Sequence, residues 1–378
     1  MKLLFVLLLV FGTAALAEKL YALLWSRRLG AAVSFQPEPA MEGETAVLLE
    51  TIENQKRLPL AALKVEFPVE HGLGLGEEEN ASKSDKQYKR DVFSVGGFQK
   101  ISREIPFLCR RRGYYQIDRL SLCAKSLWMK KTYYLEKKLD TYLYVYPRKI
   151  PSGRIRLPMH EIGGLMEQQR GLVEDPLAFA GIRDYDTTDP MSRVNWKASA
   201  RQGRLMVNQY HSSCSMKVTC FLDVENLTIW NHREVHEESI RLAASMLGEL
   251  IRQGISVELF SNGVDCLSGE RIRIPDGSGR GQMEKLNRSL SRLLLDEHLR
   301  LVPVRELLEA EGKRLSISGR IVLLITENRS RELEGTIERL AGRGTQALWV
   351  GVAYRNETWE GPKAKRVSYV KWEVEHEG

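Results

Sequence analysis

Val218-Thr219-Cys220-Phe221-Leu222-Asp223 is a continuous apolar run that ends in an acid, and an amphipathic pattern follows it from about residue 233 to residue 253. An unbroken run of this length predicts a strand that is buried on both faces, and the 3.6-residue period after it predicts a helix. Gly254 follows the helical pattern, and Ile255 to Ser261 forms a second apolar run. The stretch therefore predicts a strand–helix–strand unit of an α/β domain.

The same alternation continues towards the C-terminus. Helical patterns and apolar runs occupy residues 282–298, 304–310, Arg320–Thr326, Ser330–Ala341 and Gln346–Ala353. This order predicts a doubly wound parallel sheet, covered by helices on both faces, over residues 215–378. Because ligands of such sheets bind beyond the carboxyl ends of the strands, we expect Asp223 and Glu327 at the functional edge.

Residues 33–147 have a different pattern, in which short runs are separated by turns and no helix-length apolar stripe occurs. The runs are Thr45–Ile52, Leu63–Val69, Val92–Val95, Ile101–Cys109, Tyr114–Leu122, Thr132–Leu135 and Leu139–Tyr146. Many short strands at even spacing predict an antiparallel β-sandwich of immunoglobulin-like or related type. Residues 72–89 are typical of an exposed loop. The overall prediction is a multidomain α+β protein.

Residues 1–28 are apolar from Leu3 to Trp25, except for the pair Glu18-Lys19, and they end in Arg27-Arg28. As a helix, about twenty-three residues are enough to cross a hydrocarbon layer of about 30 Å. Trp25 would then lie in the headgroup belt. The alternative is a cleaved signal peptide, with Ala15-Leu16-Ala17 as the cleavage site. We favour a single-pass membrane anchor.

Composition narrows the class of protein. With 43% apolar and 28% charged residues over 378 positions, the chain is neither disordered nor fibrous. Its five cysteines do not form a framework of paired disulfides and indicate a reducing compartment, which places the soluble part in the cytoplasm. The net charge of +7 is spread along the chain, and Arg110-Arg111-Arg112 is its basic triplet, so we expect no nucleic-acid partner.

The segment between the two domains, residues 148–214, carries the most distinctive motif. It contains Arg183-Asp184-Tyr185, then Asp189-Pro190, Arg193 and Trp196-Lys197-Ala198-Ser199-Ala200-Arg201. Asp189 as N-cap, Pro190 in the first turn and Gly203 beyond the end predict one helix over residues 190–202. Arg193, Trp196, Lys197 and Arg201 would share a face of this helix, suited to bracing two domains or docking an acidic partner.

This motif resembles the hallmark of bacterial membrane proteins of domain-of-unknown-function family fifty-eight (DUF 58). Asp184 stands where that family usually has Glu, and Thr188 where it usually has Gly. The resemblance implies a membrane-anchored protein with a β-domain and a von Willebrand factor A-like domain. It also implies two partners, a MoxR-type AAA+ ATPase and a transglutaminase-like membrane protein. It implies no settled biochemical activity.

The resemblance further implies where a metal site would lie. A metal-binding A-like domain has Asp-x-Ser-x-Ser after its first strand, and the corresponding residues here are Asp223-Val224-Glu225-Asn226-Leu227. A later strand ends in Thr326-Glu327, where that pattern has Thr-Asp. Since Mg²⁺ requires several oxygen ligands, these changes predict a degraded site formed by Asp223, Glu225, Thr326 and Glu327, with no bound cofactor.

One further pair of residues is compatible with a metal. His232 and His236 are four residues apart, as in a zinc pair, but no third ligand is evident from the sequence, and a solvated first helical turn is the simpler interpretation.

From these features we expect a non-enzymatic, membrane-anchored scaffold or adaptor that acts with the ATPase in an envelope-associated, chaperone-like assembly. The alternative is a metal-dependent enzyme or a cation-dependent adhesion module that uses Asp223, Glu225 and Glu327.

Overall fold

The computed structural model describes residues 2–75, 86–126, 128–172, 179–187, 189–210, 216–226, 232–296, 301–315, 320–341, 345–357, 361–362 and 367–374. It divides into two compact units, Met1–Arg148 and Lys149–Gly378. The chain combines an N-terminal apolar helix with an α+β arrangement of mixed sheets, which confirms that part of the predicted fold class.

The first unit begins with helix α1, Lys2–Leu24. The strands that the structure describes after it are β1 Leu29–Gln36, β2 Ala40–Met41, β3 Thr45–Asn54, β4 Leu60–Glu70, β5 Lys86–Val95, β6 Lys100–Leu108, β7 Gly113–Lys125 and β8 Thr132–Tyr146. They form a three-stranded antiparallel sheet, β1-β3-β6, and a five-stranded sheet, β2-β8-β7-β4-β5, in which only β2 is parallel to its neighbour. One core cluster draws on both sheets, with Leu48 and Ile52 from the first and Leu63 and Leu143 from the second.

Two predictions in this unit were wrong. Thr132–Leu135 and Leu139–Tyr146 are parts of one fifteen-residue strand, because β8 continues its pairing with β7 through the charged residues between them. The loop predicted at residues 72–89 ends earlier, since β5 begins at Lys86 and pairs with β4. Residues 76–85 of that prediction lie outside the described residues.

Among its described residues, the second unit contains seven strands in one sheet and a separate hairpin. Its elements are α2 Arg156–Leu172, β9 Phe179–Asp184, α3 Trp196–Gln202, β10 Met206–Tyr210, β11 Lys217–Leu222, α4 Arg233–Arg252, β12 Ser256–Asp265, β13 Arg271–Gly277, α5 Gly279–Arg292, β14 Leu293–Leu294, α6 Val304–Leu315, β15 Arg320–Thr326, α7 Arg331–Ala341, β16 Gln346–Tyr354 and β17 Val367–Val374. The sheet order is β13-β12-β11-β15-β16-β17, with β14 beside β12. Strands β12, β11, β15, β16 and β17 are parallel, whereas β13 and β14 run antiparallel to β12.

The central strands of this sheet are buried on both faces. On one face Cys220 and Leu323 join a cluster with side chains of α2, α4 and α5. On the other face Phe221 and Leu324 pack with side chains of α6 and α7. Alternate residues of each strand thus enter different cores, which is why these strands are continuous apolar runs in the sequence.

Glu50 is an exception to the apolar core of the first unit. It lies on the buried face of β3, is 1% exposed, and neither carboxylate oxygen has a hydrogen-bond partner among the described residues. Burial raises the pKa of Glu50 to about 7, and the negative charge of Asp91 raises it further, against the opposing effect of Arg103 and Lys89. The folded unit therefore favours the protonated form of this side chain.

This burial makes the first unit sensitive to pH. Because the pKa is higher in the folded state, the stability contribution of Glu50 is complete below its unfolded-state pKa and is lost as the pH rises through about 7. Glu50→Gln is expected to raise the free energy of unfolding by about 1–3 kcal/mol at pH 8, and to have little effect at pH 4.5. Hydrogen exchange of β3 and β6 in detergent micelles measures this difference. An equal effect of the substitution at both pH values would contradict it.

Candidate functional site

Asp223 lies immediately after β11, at the carboxyl end of the central sheet, and is 1% exposed. Its carboxylate accepts hydrogen bonds from Thr326 Oγ1 at 2.6 Å, from Asn262 Nδ2 at 2.6 Å and from the backbone N–H of Glu225 at 3.1 Å. Burial raises the pKa of Asp223, and these three donors oppose the shift. The acid is thus held inside a polar network rather than presented to solvent.

The two side chains that contact Asp223 are themselves held in place. Asn262 Oδ1 accepts from the backbone N–H of Val224 at 2.9 Å, and Thr326 Oγ1 accepts from the backbone N–H of Asn328 at 2.8 Å. Asn262 belongs to β12 and Thr326 to β15, the two neighbours of β11. The network therefore connects three parallel strands at one edge. Nothing in the local sequence marked Asn262, which only the strand order brings to Asp223.

This arrangement does not fit a magnesium ion of the kind that the resemblance implies. A divalent cation needs free oxygen lone pairs around it. Here N–H and O–H donors approach both oxygens of Asp223. Within the described part of the chain, no three His, Cys, Asp or Glu side chains are placed to hold a metal ion together. Leu227 lies outside the described residues.

Glu327 connects the edge to the start of α4. Its carboxylate contacts His232 Nδ1 at 2.9 Å, and its Oε1 lies 3.8 Å from His236 Nε2. Burial raises the pKa of Glu327, against the hydrogen bond from His232. Burial, with a contribution from His232, lowers the pKa of His236 to about 4, so this imidazole is neutral at neutral pH.

The interpretation of the histidine pair as a solvated helical turn is wrong for His236, which is 4% exposed. Both of its ring nitrogens, and Glu327 Oε1, have no hydrogen-bond partner among the described residues. A cavity of about 320 Å³ opens beside this group and is lined by His232, Val235, Glu327, Arg329, Val352, Ala353 and Glu357. Glu225 follows Asp223 by two residues and is half-buried. Burial, together with the negative charges of Asp223 and Glu306, raises the pKa of Glu225 to about 7.

The motif residues of the predicted connecting segment form a small module around the hairpin β9–β10. Arg183 on β9 pairs with Asp189 through two hydrogen bonds of 2.6 Å, and Asp189 also accepts from the backbone N–H of Asp186 at 2.9 Å. The hydrogen bonds from Arg183 and from Asp186 lower the pKa of Asp189. The backbone N–H of Tyr185 donates to Leu205 O at 3.0 Å. Arg183, Asp189 and Tyr185 thus hold the hairpin and the turn together.

The prediction of one helix over residues 190–202 was wrong. The chain makes a short 3₁₀ turn at Met191–Arg193, and Val194 then forms an isolated bridge with Val207. Helix α3 begins at Trp196, and its N-cap is Asn195, whose side chain accepts from the backbone N–H of Ala198. Asp189 therefore does not cap α3. The expected helix end is confirmed, because Gly203 follows α3 with a φ of +67°.

The interior of the module is organised by Ser199. Its hydroxyl donates to Asn195 O at 2.8 Å and accepts from the backbone N–H of Met206 at 2.8 Å. These bonds join α3 to β10, and they engage the hydroxyl both as a donor and as an acceptor. Trp196 is 63% exposed, and Lys197 and Arg201 on α3 are exposed as well. Arg193 is also exposed but belongs to the 3₁₀ turn, so the cations come from two elements rather than from one helix face.

Comparisons with known proteins give partial similarities. No family model matches the sequence. The chain is 22% identical over 237 residues to the uncharacterized protein YeaD of Bacillus subtilis (strain 168), and the match covers 61% of this chain and 56% of that protein. The matched region thus spans little more than half the length of that relative.

Two solved structures share limited features with this chain. One is an aerotolerance-related membrane protein of Bacteroides fragilis NCTC 9343 with multiple mutations to serines, at 14% identity and a TM-score of 0.28, covering 40% of this chain and 79% of that one. The other is a non-cellulosomal cohesin of Archaeoglobus fulgidus, at 9% identity and a TM-score of 0.21, covering 31% and 91%.

The network around Asp223 predicts a stability effect at Asn262. Asn262→Ala removes a donor to the buried acid and an acceptor for Val224 N–H, so we expect the free energy of unfolding to fall by about 1–3 kcal/mol. Urea unfolding of the second unit, followed by hydrogen exchange of β11 and β12, measures the loss. As a matched control, the substitution Asn287→Ala changes an amide on the outer helix α5. An unchanged stability in Asn262→Ala would show that the network contributes nothing.

The same network predicts the response to divalent cations. Isothermal titration of the full chain with Mg²⁺ or Mn²⁺ is expected to give no saturable heat, because the oxygens of Asp223 are already hydrogen-bonded by protein donors. Stoichiometric binding that disappears in Asp223→Ala would contradict this prediction and favour the metal-dependent alternative.

Proposed function

We propose that this protein is a membrane-anchored, non-enzymatic interaction scaffold whose docking surface is the exposed face around Trp196. The observation that carries the proposal is the 63% exposure of Trp196 beside exposed Lys197 and Arg201. Tryptophan and arginine are enriched among the residues that dominate protein interfaces. Met191 and Ile182 in the same module are also more than 40% exposed, which adds apolar surface to the cations. A partner with an acidic and apolar surface suits this combination.

The construction of the module supports a binding role. The paired Arg183 and Asp189, the N-cap Asn195 and the hydrogen bonds of Ser199 hold α3 and the hairpin in one arrangement. A surface that is ordered before the partner arrives loses less conformational entropy on binding. None of these contacts activates a nucleophile, since Ser199 is engaged with the backbone.

The proposed membrane anchor is α1. Leu4 to Leu24 is long and apolar enough to cross a bilayer, and almost none of it is buried within the protein. Large apolar side chains in contact with water are costly, and a lipid environment removes that cost. We propose a single pass with the two units on the cytoplasmic side, in agreement with the cysteine content.

The motif at residues 183–201 supports a relation to the DUF 58 proteins. On this basis we infer that the first unit is a β-sandwich and that the second is a doubly wound, von Willebrand A-like domain with a degraded metal site. The proposed partners follow from that relation: a MoxR-type AAA+ ATPase and a transglutaminase-like membrane protein. The alternative, a metal-dependent enzyme or adhesion module, requires the cation that Asp223 does not fit.

The docking surface is tested by binding of the purified ATPase to the full chain in detergent micelles. Trp196→Ala combined with Lys197→Glu is expected to weaken binding by at least about tenfold, since both an apolar anchor and a cation are removed. Trp128→Ala combined with Lys130→Glu is a matched control on the other unit and is expected to leave the affinity unchanged. Equal binding by wild type and the Trp196 variant would remove this surface from the proposal.

A further inference from the structure

The two sheets of the first unit are linked by an ion pair between β5 and β6. Among the described strands, β5 is at the edge of the five-stranded sheet and β6 is at the edge of the three-stranded sheet. A guanidinium nitrogen of Arg103, on β6, donates to Asp91 Oδ1, on β5, at 2.9 Å. The ammonium group of Lys89, also on β5, lies 3.6 Å from Asp91 Oδ2. The Arg103–Asp91 pair, which we term the edge ion pair, therefore connects one sheet to the other.

Glu50 lies on β3 beside the edge ion pair. In the antiparallel register of β3 and β6, Glu50 and Arg103 are directly opposite each other. Their side chains therefore leave the same face of the sheet, from Cβ atoms about 4.5–5.5 Å apart. Glutamate and arginine side chains are long enough to meet over that distance. The guanidinium group of Arg103 is thus within reach of two acids, Asp91 and Glu50.

The two acids differ in how their charge is supported. Asp91 accepts a hydrogen bond from Arg103, and its side chain retains 11% exposure to solvent. Glu50 is 1% exposed, and neither of its oxygens has a hydrogen-bond partner among the described residues. A protonated carboxyl group is much less costly in such a site than a carboxylate, which requires a cation. Glu50 is therefore stable without Arg103 only while it keeps its proton.

The charged side chains that face Glu50 in the described part of the first unit come from β5 and β6. Burial raises the pKa of Glu50 to about 7, the negative charge of Asp91 raises it as well, and Arg103 and Lys89 oppose the shift. On β1 the partner of Glu50 is Val33, and the buried side chains of β4 are apolar. One acid and two cations thus surround Glu50.

Polar side chains that β7 and β8 direct towards the core are engaged elsewhere. The hydroxyl of Tyr115, on β7, donates to Arg111 O at 2.8 Å. The ammonium group of Lys137, on β8, donates to Leu29 O. Leu29 is four residues from Val33, or about 13 Å along β1, so Lys137 is remote from Glu50. Arg103, directly opposite Glu50 in the same sheet, is the cation best placed to reach it.

We propose that Glu50 and Asp91 compete for Arg103 and that this competition forms a pH-sensitive clasp between the two sheets. While Glu50 is protonated, Arg103 stays on Asp91 and the edge ion pair is closed. When Glu50 releases its proton to solvent, the guanidinium group turns to Glu50 within its own sheet, because the buried carboxylate gains more from a cation than the partly exposed one. Asp91 keeps Lys89, which lies on its own strand, and the link between β5 and β6 at this position is lost.

The clasp is expected to change state near neutral pH. Because the pKa of Glu50 is raised to about 7 in the folded unit, chiefly by burial, the edge ion pair is favoured below this pH and is lost as the pH rises through it. This inference concerns the first unit alone. It goes beyond the proposed scaffold role and does not depend on the docking surface around Trp196.

Hydrogen exchange of the full chain in detergent micelles measures the state of the clasp. After correction for intrinsic exchange rates, the protection of β5 and β6 is expected to fall about tenfold between pH 6 and pH 8.5, with β7 in the middle of its sheet as the internal reference. In Glu50→Gln the same change is expected to be less than about twofold, because an amide does not ionise.

Two aspartate variants complete the exchange experiment. Asp91→Asn removes the acid that competes with Glu50, so the protection of β5 and β6 is expected to be low at both pH values. The matched control is Asp118→Asn on β7, where the side chain is 65% exposed. This variant is expected to have the pH dependence of wild type.

A chemical probe follows Arg103 itself. Phenylglyoxal modifies accessible guanidinium groups, and mass spectrometry gives the modification of Arg103 relative to Arg119. Both side chains start with similar exposure, 51% and 53%. The ratio is expected to fall at least about threefold between pH 6.5 and pH 8.5, because Arg103 becomes buried when it turns to Glu50. In Glu50→Gln the ratio is expected to stay constant.

Three results would overturn the clasp. An equal loss of protection in wild type and Glu50→Gln would assign the pH dependence to another group. A loss that requires Glu50 but leaves the modification ratio of Arg103 constant would show that the buried charge loosens the unit without an exchange of partners. Protection that does not vary with pH would show that the edge ion pair stays closed. Because wild type alone gives the pH series and the modification ratio, the test stands even where a variant does not fold.

Discussion

The buried carboxyl group of Asp223 is the constraint on which the edge of the second unit depends. A carboxyl group with so little exposure requires hydrogen-bond partners, and Thr326 and Asn262 supply them from the neighbouring strands β15 and β12. These hydrogen bonds hold the carboxyl ends of β11, β12 and β15 together at one edge of the sheet. The same hydrogen bonds engage three of the roughly four lone pairs of the carboxylate with protein donors, so the contacts that stabilise the buried acid also compete with a cation for its oxygens.

The surface that we propose for binding in the second unit is formed by exposed side chains on an ordered framework. Trp196 is 63% exposed on α3, and Lys197 and Arg201 on the same helix are exposed as well. The hydrogen bonds of Ser199 hold that helix against β10. An aromatic side chain among cations suits a partner whose surface is both apolar and acidic.

The parts of the fold that the sequence predicts well are those in which local pattern and burial agree. Strand β15 has the predicted bounds, Arg320–Thr326, because all of its residues are apolar or lie at the strand ends. The helix over residues 190–202 was mispredicted because Val194 and Asn195 are drawn into contacts with Val207 and Met206, which no local signal reveals. Strand β13 was missed within a glycine-rich region, since its pairing with β12 alone defines it. In the candidate site, Asp223 and Glu327 were predicted because each directly follows an apolar strand. The contact of Asn262 with Asp223 depends on the order of the strands, and the approach of Glu327 to His236 depends on the packing of α4 against the sheet.

The way α1 joins β1 has a mechanical consequence. Only Trp25 to Arg28 separate the helix from the first strand, and Trp25 is buried in the β-core. Tyr133 braces the helix from the side. A helix of about 35 Å that is attached in this rigid manner acts as a lever. In the proposed anchoring, a change in bilayer thickness that alters the tilt of α1 would rotate the first unit by the same angle, and the orientation of this unit would then depend on the thickness of the membrane.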